Sequence, residues 1–236
     1  MNMMEKELEA LRKESITLDF RVAKGSAIDS KIGGMLYIED KKNYPRDSKG
    51  NLMIFLCQIN LEDLPSVGDL PKTGLLQFFI PNDKYFTYDE HEPCKVLYIE
   101  TFSKSKSLKK NIFLKEFFDM TPYETECTLC FAKEHMDAPN PSSNIFNEIG
   151  EKYYKNCDYP YSIFEKYYFR PSQIFGYPFY NQEETITNDE LLLLQLDTNK
   201  SNHIMFGDDG TCHFYIKKDD LLKGDFSKVR YDIDFC

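Results

Sequence analysis

The sequence lacks an apolar run long enough to cross a bilayer. Its longest, Leu52–Cys57, stops at Gln58, far short of the roughly 20 residues that a spanning helix needs. A secretory signal is missing too, because Met1–Ser15 interleaves charged with apolar side chains where a signal requires an uninterrupted apolar core. Basic charge is in deficit: 29 Lys and Arg against 39 Asp and Glu give a net charge of −10. Such a balance repels phosphate backbones and anionic lipid, so neither nucleic acid nor a membrane surface is an expected partner. Glycine-rich phosphate cradles are absent, since Gly33-Gly34 lacks the following glycine and lysine. Histidine is scarce, with His91, His135, His203 and His213 the only 4, and none stands beside a nucleophile elbow. No catalytic residue is assigned. The 7 cysteines are an odd number for a disulfide framework, and Cys57, Cys94 and Cys212 fall inside apolar patterns where the thiol acts as a small hydrophobe. These absences together point to the cytoplasm.

What is present is a globular composition, with 42% hydrophobic, 15% aromatic and 29% charged residues, which supports one compact domain over residues 1–236. Four blocks occur twice in the same order. Ser30-Lys31-Ile32-Gly33-Gly34 returns as Ser172-Gln173-Ile174-Phe175-Gly176. The apolar run ending Cys57-Gln58-Ile59-Asn60 returns as Leu194-Gln195-Leu196-Asp197. Gly74-Leu75-Leu76-Gln77-Phe78-Phe79-Ile80 answers Gly210-Thr211-Cys212-His213-Phe214-Tyr215-Ile216, and Lys95-Val96-Leu97-Tyr98 answers Lys228-Val229-Arg230-Tyr231. The spacing differs between copies only by loop-sized gaps. The blocks are short, rich in Leu, Ile, Phe, Val and Tyr, and bounded by turn-forming clusters, so they read as strands. With turns this close together the strands pair antiparallel.

The expected fold is α+β and mainly antiparallel β: an internal duplication of two similar sheet units, pseudo-repeat 1 over about 30–102 and pseudo-repeat 2 over about 172–236. An insertion over about 103–171, partly helical, separates them. Met4, Leu8 and Leu11 share one helical face, which predicts an N-terminal amphipathic helix of about three turns lying across a sheet. Within the insertion, Cys127–Phe131 alternates like a strand, Asn144–Tyr154 reads as a helix, and Ser162-Ile163-Phe164-Glu165 has capping-box spacing. Its many aromatics suit a core shared by both copies better than a flexible tether.

Chemistry is sparse. Cys127 and Cys130 form a lone CxxC without a second ligand pair, so two buried strand cysteines account for them better than a metal does. Gly207-Asp208-Asp209-Gly210 sets adjacent carboxylates between glycines, which suits a hard cation or a shared proton; a tight turn needs the same residues. The carboxamides Gln58, Gln77, Gln182 and Gln195, with Asn60 and Asp197, must find hydrogen-bond partners if buried. They line a polar pocket between the sheets, or they tie strand ends to loops.

At Ser30–Gly34, Tyr44-Pro45, Gln58-Ile59-Asn60, Leu70-Pro71, Gly74–Ile80, Gly176-Tyr177-Pro178-Phe179 with Gln182, and Gly207–Ile216, the chain resembles the YwqG-like family of bacterial proteins of unknown function. It departs from that family's pattern at Leu36, at Phe175, where a second glycine is usual, and at Phe206. The resemblance implies a largely β architecture with an internal duplication, and no agreed activity.

The expected function is a non-catalytic binding module for a protein partner or a small polar ligand, using Gln58, Asn60, Gln77, Gln182, Gln195, Asp197, Asp208 and Asp209, without cofactor or metal. The alternative is a hydrolase or metal-dependent enzyme working through Asp208, Asp209 or Asp197. A third reading, from the small acidic chain, is an immunity-like protein that binds a basic toxin.

Overall fold

A computed structural model describes residues 1–82, 94–102, 121–132 and 135–235, apart from the side chains of Lys41, His135 and Cys157. His91 and residues 103–120 of the expected insertion lie outside the described residues. Among the described residues eleven strands make one sheet, antiparallel throughout, that curls into a half-barrel. In chain order they are β1 (Lys13–Val22), β2 (Lys31–Ile32), β3 (Ile54–Asn60), β4 (Leu75–Ile80), β5 (Lys95–Ile99), β6 (Cys127–Phe131), β7 (His135–Asp137), β8 (Gln173–Phe175), β9 (Glu190–Asp197), β10 (Thr211–Lys217) and β11 (Arg230–Asp234). The spatial order is β11-β10-β9-β8-β1-β6-β2-β3-β4-β5, with β7 paired to β1 on the β6 side, since Ser15 stands between His135 of β7 and Phe175 of β8. Two separate sheets were expected. They are joined because β1 and β6 pair with each other, Asp19 opposite Cys130, and each then carries a four-strand meander on its outer side.

Strands β3 and β4 are buried along their whole length, as short continuous apolar runs predict. One core cluster draws on both meanders, and the Phe78 and Phe214 rings meet edge to face across it at 4.9 Å. The expectation of a common interior therefore holds.

The helices form a separate layer. Helix α1 (Met3–Ala10) starts in a capping box: the Glu5 N–H donates to Asn2 Oδ1 at 2.8 Å and the Asn2 N–H donates to Glu5 Oε2 at 2.7 Å, satisfying two otherwise unpaired donors. It is shorter than expected and does not lie across the sheet. Met4 and Leu8 pack instead on Phe146 and Ile149 of α2 (Asn144–Tyr153) and on Ile163 and Tyr167 of α3 (Tyr161–Tyr167). Leu11 falls past the helix end because the chain turns there to enter β1. The capping box expected at Ser162–Glu165 does not form. Pro160, whose fixed φ suits a helix start, stands at the N-cap, and Ser162 is already inside α3. A last helix, α4 (Lys218–Leu222), follows β10 directly. Cys127 is buried as expected but Cys130 is exposed, since residues an odd number apart on a strand face opposite ways.

Candidate functional site

The interior amides come first, because the sequence singled them out. In the first meander, Gln58 Oε1 accepts from the Tyr37 N–H at 3.2 Å and from Gln77 Nε2 at 2.8 Å, while Gln58 Nε2 donates to the carbonyls of Ala27 and Asp29 at 3.0 Å each. Gln77 Nε2 also donates to the Tyr37 carbonyl at 2.7 Å. The second meander repeats this arrangement with one exchange. Gln195 Oε1 accepts from the Phe179 N–H at 2.8 Å, and Gln195 Nε2 donates to the Pro171 carbonyl at 2.6 Å. His213 takes the place of Gln77: its Nε2 lies 3.1 Å from Gln195 Oε1 and 3.0 Å from the Phe179 carbonyl. Both neighbours are acceptors, so the imidazole proton sits on Nε2. Nδ1 is left bare and buried without a partner among the described residues. Loss of solvent pulls the His213 pKa down to about 4.

The match extends further. The Ser30 and Ser172 hydroxyls accept from the N–H groups of Asn60 and Asp197, both at 2.9 Å. Each meander carries a bulge in the same register, with Leu56 the extra residue of β3 and Leu193 that of β9. These amides tie strand to loop. Gln58, Gln77 and Gln195 are at most 1% exposed.

The remaining expected residues lie elsewhere. Asn60 caps a short turn by accepting from the Glu62 N–H at 3.1 Å, and Gln182 is exposed. Asp197 pairs with Arg170 Nε at 2.8 Å and accepts from Thr211 Oγ1 at 2.8 Å; burial nevertheless raises its pKa, with those contacts opposing the rise. Arg170 also donates to the Asp209 carbonyl, and Lys200 Nζ meets the Asp209 carboxylate at 2.7 Å. Arg170 thus fastens Asp197 to the Gly207–Gly210 turn, and Asp208 projects into solvent beside it. The sequence signal for Arg170, a lone cation between Tyr167–Phe169 and Pro171, was there to be read. Among the described residues no group of three or more His, Cys, Asp or Glu side chains is placed to hold a metal ion, and no helix is long and apolar enough to cross a membrane.

The cleft that does form lies on the seam between the meanders and has a volume of about 170 Å³. Ile186, Leu191, Leu192 and Leu221 supply its apolar lining together with Phe175, and Gly176 lines it beside them. Gly68 and Asp69 reach in from the loop after β3, where the Gly68 N–H donates to Glu14 Oε2 at 3.0 Å. Phe175 holds φ at +58°, a conformation that costs a side-chain-bearing residue about 1–2 kcal/mol. Its ring packs on Gly68 so closely that an added Cβ there would come within 2.7 Å of it. At the rim, Glu190 is engaged by Arg230 at 2.9 Å. Lys13 Nζ sits 4.0 Å from the centroid of the Tyr177 ring and makes no hydrogen bond or ion pair to a described residue. None of the residues expected from the sequence lines this cleft, because its walls come from segments remote in the chain.

A second hollow, larger and more open, lies between α3 and the β1–β7 edge, but its cations Arg12 and Lys166 are already held by Glu9 and Glu5 at 2.5 and 2.7 Å.

A search of curated proteins found no match to the chain. Residues 30–236, which hold all but β1 of the sheet and both walls of the seam cleft except Lys13 and Glu14, match the family model described as domain of unknown function DUF1963, and the chain belongs to that family.

Proposed function

We propose that this protein is a non-catalytic binding protein whose two meanders descend from one duplicated unit and whose seam cleft takes a small ligand. Duplication is supported by the matched clamps around Gln58 and Gln195, the matched bulges at Leu56 and Leu193, and the parallel strand order outward from the centre. The repeating unit then begins before Ser30. The Leu18 N–H donates to the Ser172 carbonyl at 2.8 Å, and the Leu129 N–H donates to the Ser30 carbonyl at 2.9 Å, so β1 and β6 are counterparts. Each precedes one meander in the chain and pairs with the other, so the copies have exchanged their leading strands.

The binding reading rests on one observation, the apolar cleft at that seam lined by Lys13, whose ammonium lies over the Tyr177 ring and makes no hydrogen bond or ion pair to a described residue. Pockets of mostly apolar lining with a few polar groups at the edge are the usual form of a ligand site. Free thiols at Cys57, Cys94, Cys127, Cys130 and Cys212 suit a reducing, cytoplasmic setting. The test is a thermal-shift screen of small amphiphilic molecules against the wild type and against Ile186→Trp, which fills the cleft from its partly exposed side. Compounds that raise Tm in the wild type and not in the variant support the reading. A screen in which every Tm rise survives Ile186→Trp refutes it.

A further inference from the structure

Each flank of the seam is packed by a ring. On one flank Tyr123, 5% exposed and just before β6, lies so close to Gly33 that a Cβ on that glycine would come within 2.6 Å of its ring. Its hydroxyl donates to the Phe55 carbonyl at 2.8 Å. On the other flank Phe175 stands at the position of Gly33 and packs its own ring on Gly68. Packing is alike on the two flanks, whereas charge is not. The Leu18 and Leu129 N–H groups, bonded to the Ser172 and Ser30 carbonyls, set Glu14 against Thr125, and the shared bulge sets Glu190 against Met53. Glu14 and Glu190 are therefore charges that the matching positions do without.

Lys13, Glu14, Asp69 and Glu190 are the charged residues that line the seam cleft. Glu190 is answered by Arg230, whose Nε and Nη2 donate to its two oxygens at 2.9 Å each. The Lys13 ammonium is turned onto the Tyr177 ring, where Asp137 and Glu184 attract it through space; neither of them lines the cleft. Glu14 and Asp69 have no such counter-charge. Glu14 meets the Gly68 backbone N–H and no cation of a described residue, and Asp69 is exposed and makes no hydrogen bond or ion pair to a described residue. Two uncompensated carboxylates give the cleft a negative potential that draws in cations. Behind that charge the lining is Phe175, Ile186, Leu191, Leu192 and Leu221, around about 170 Å³. Cavities of about 150 Å³ walled by Leu, Ile and Phe accept a benzene ring.

We propose that the seam cleft binds a small organic amine in its ammonium form, with an apolar body about the size of a six-membered ring. The apolar body lies among Phe175, Ile186 and the leucines, and the ammonium meets the carboxylates of Glu14 and Asp69. An anion is disfavoured by the same two groups, and a neutral molecule gains nothing from them. This assignment rests on the binding role argued above and adds the sign of the ligand's charge to it.

The experiment is isothermal titration of the full chain at neutral pH with 2-phenylethylamine, 2-phenylethanol and phenylacetate, which share the ring and differ in charge. The proteins are the wild type, Glu14→Gln, Asp69→Asn, the double variant and Ile186→Trp, with circular dichroism to show that each folds. Saturable binding of 2-phenylethylamine is expected. An exposed ion pair contributes up to about fivefold, so 2-phenylethanol should bind several-fold more weakly and phenylacetate more weakly still. Glu14→Gln keeps an acceptor for the Gly68 N–H; it and Asp69→Asn should each weaken the amine and leave the alcohol unchanged. The double variant should bring amine and alcohol to equal affinity, and Ile186→Trp should abolish binding of both. The proposal is overturned if 2-phenylethylamine shows no saturation at millimolar concentration, if 2-phenylethanol or phenylacetate equals it, or if the folded double variant or folded Ile186→Trp binds it unchanged. Were the thermal-shift screen to yield neutral or anionic ligands sensitive to Ile186→Trp while amines fail, the charge assignment would fall and the binding role would stand.

Discussion

Replacing His213 by Gln tests the matched clamps directly, since Gln77 holds the same place in the other meander. The His213 pKa is drawn from 6.5 down to about 4, chiefly by burial, with Asp232 opposing and Arg230 and Arg170 adding to the fall. Between those values the unfolded chain carries a proton that the folded chain refuses, so stability rises with pH across the window and is lost on acidification through it. One pKa step is worth about 1.4 kcal/mol, so the full effect is roughly 3 kcal/mol, of which about 2 kcal/mol is already lost at pH 5. A glutamine does not titrate. Its two amide hydrogens can reach the Phe179 carbonyl and Gln195 Oε1, as those of Gln77 reach the Tyr37 carbonyl and Gln58 Oε1. The unpartnered Nδ1 disappears, which gains about 1–3 kcal/mol, and the stacking of His213 on Tyr215, 5.7 Å away at an interplanar angle of 12°, is lost at about 1 kcal/mol. Urea unfolding at pH 7 should therefore give His213→Gln a stability equal to or slightly above the wild type, and at pH 5 an advantage larger by about 2 kcal/mol. Titrating carboxylates such as Asp197 and Asp234 cancel in the comparison. Parallel pH profiles for the two proteins, or a His213 ring resonance titrating near 6.5, would refute the reasoning.

Lys31→Gln copies the residue at the matching position, Gln173. The Lys31 amine is buried and held down to about 8 against an ordinary 10.5, so the wild type should gain up to about 3 kcal/mol between pH 8 and 10.5; urea unfolding of the variant should show no such rise. Alkylation by iodoacetamide under native conditions, read by mass spectrometry, should modify Cys130 before Cys57 and Cys212 and leave those two untouched until unfolding, because Cys130 is exposed and burial raises the thiols of Cys57 and Cys212. Gly33→Ala places a Cβ at φ +63° and 2.6 Å from the Tyr123 ring; a fall of at least about 2 kcal/mol in unfolding free energy is expected, from backbone strain and overpacking together.

The outer strands of the sheet were legible because each is a short apolar run between turn residues. The centre was not. Strand β1 alternates Ile16, Leu18 and Phe20 as a half-buried strand should, yet nothing in that pattern names β8 and β6 as its neighbours, so one sheet read as two. The amides announced themselves as buried polar groups needing partners. His213 did not, because an isolated histidine in an apolar strand has no signature until Gln77 is set beside it. The seam cleft is the extreme case: Lys13, Gly68, Phe175 and Leu192 come from four separate segments, and no local pattern joins them.

The matched positions keep what holds the strands together and differ where the fold does not need them alike. Ser30 and Ser172, and Gln58 and Gln195, perform the same hydrogen bonding on both sides. Gly33 against Phe175 is another matter. A glycine at that bend costs nothing in φ, and on the Tyr123 flank it is what lets the ring approach; on the other flank the chain carries a bulky residue at φ +58°, against a backbone preference worth about 1–2 kcal/mol. The ring of Phe175 recovers part of that cost by packing on Gly68 across the seam. Phe175→Gly separates the two contributions. If the side chain serves packing alone, the variant loses several kcal/mol of burial offset by relief of strain. If it shapes the cleft, the variant also loses or broadens ligand selectivity at a protein stability that urea unfolding reports independently, and only that second loss would tie the strained backbone to recognition.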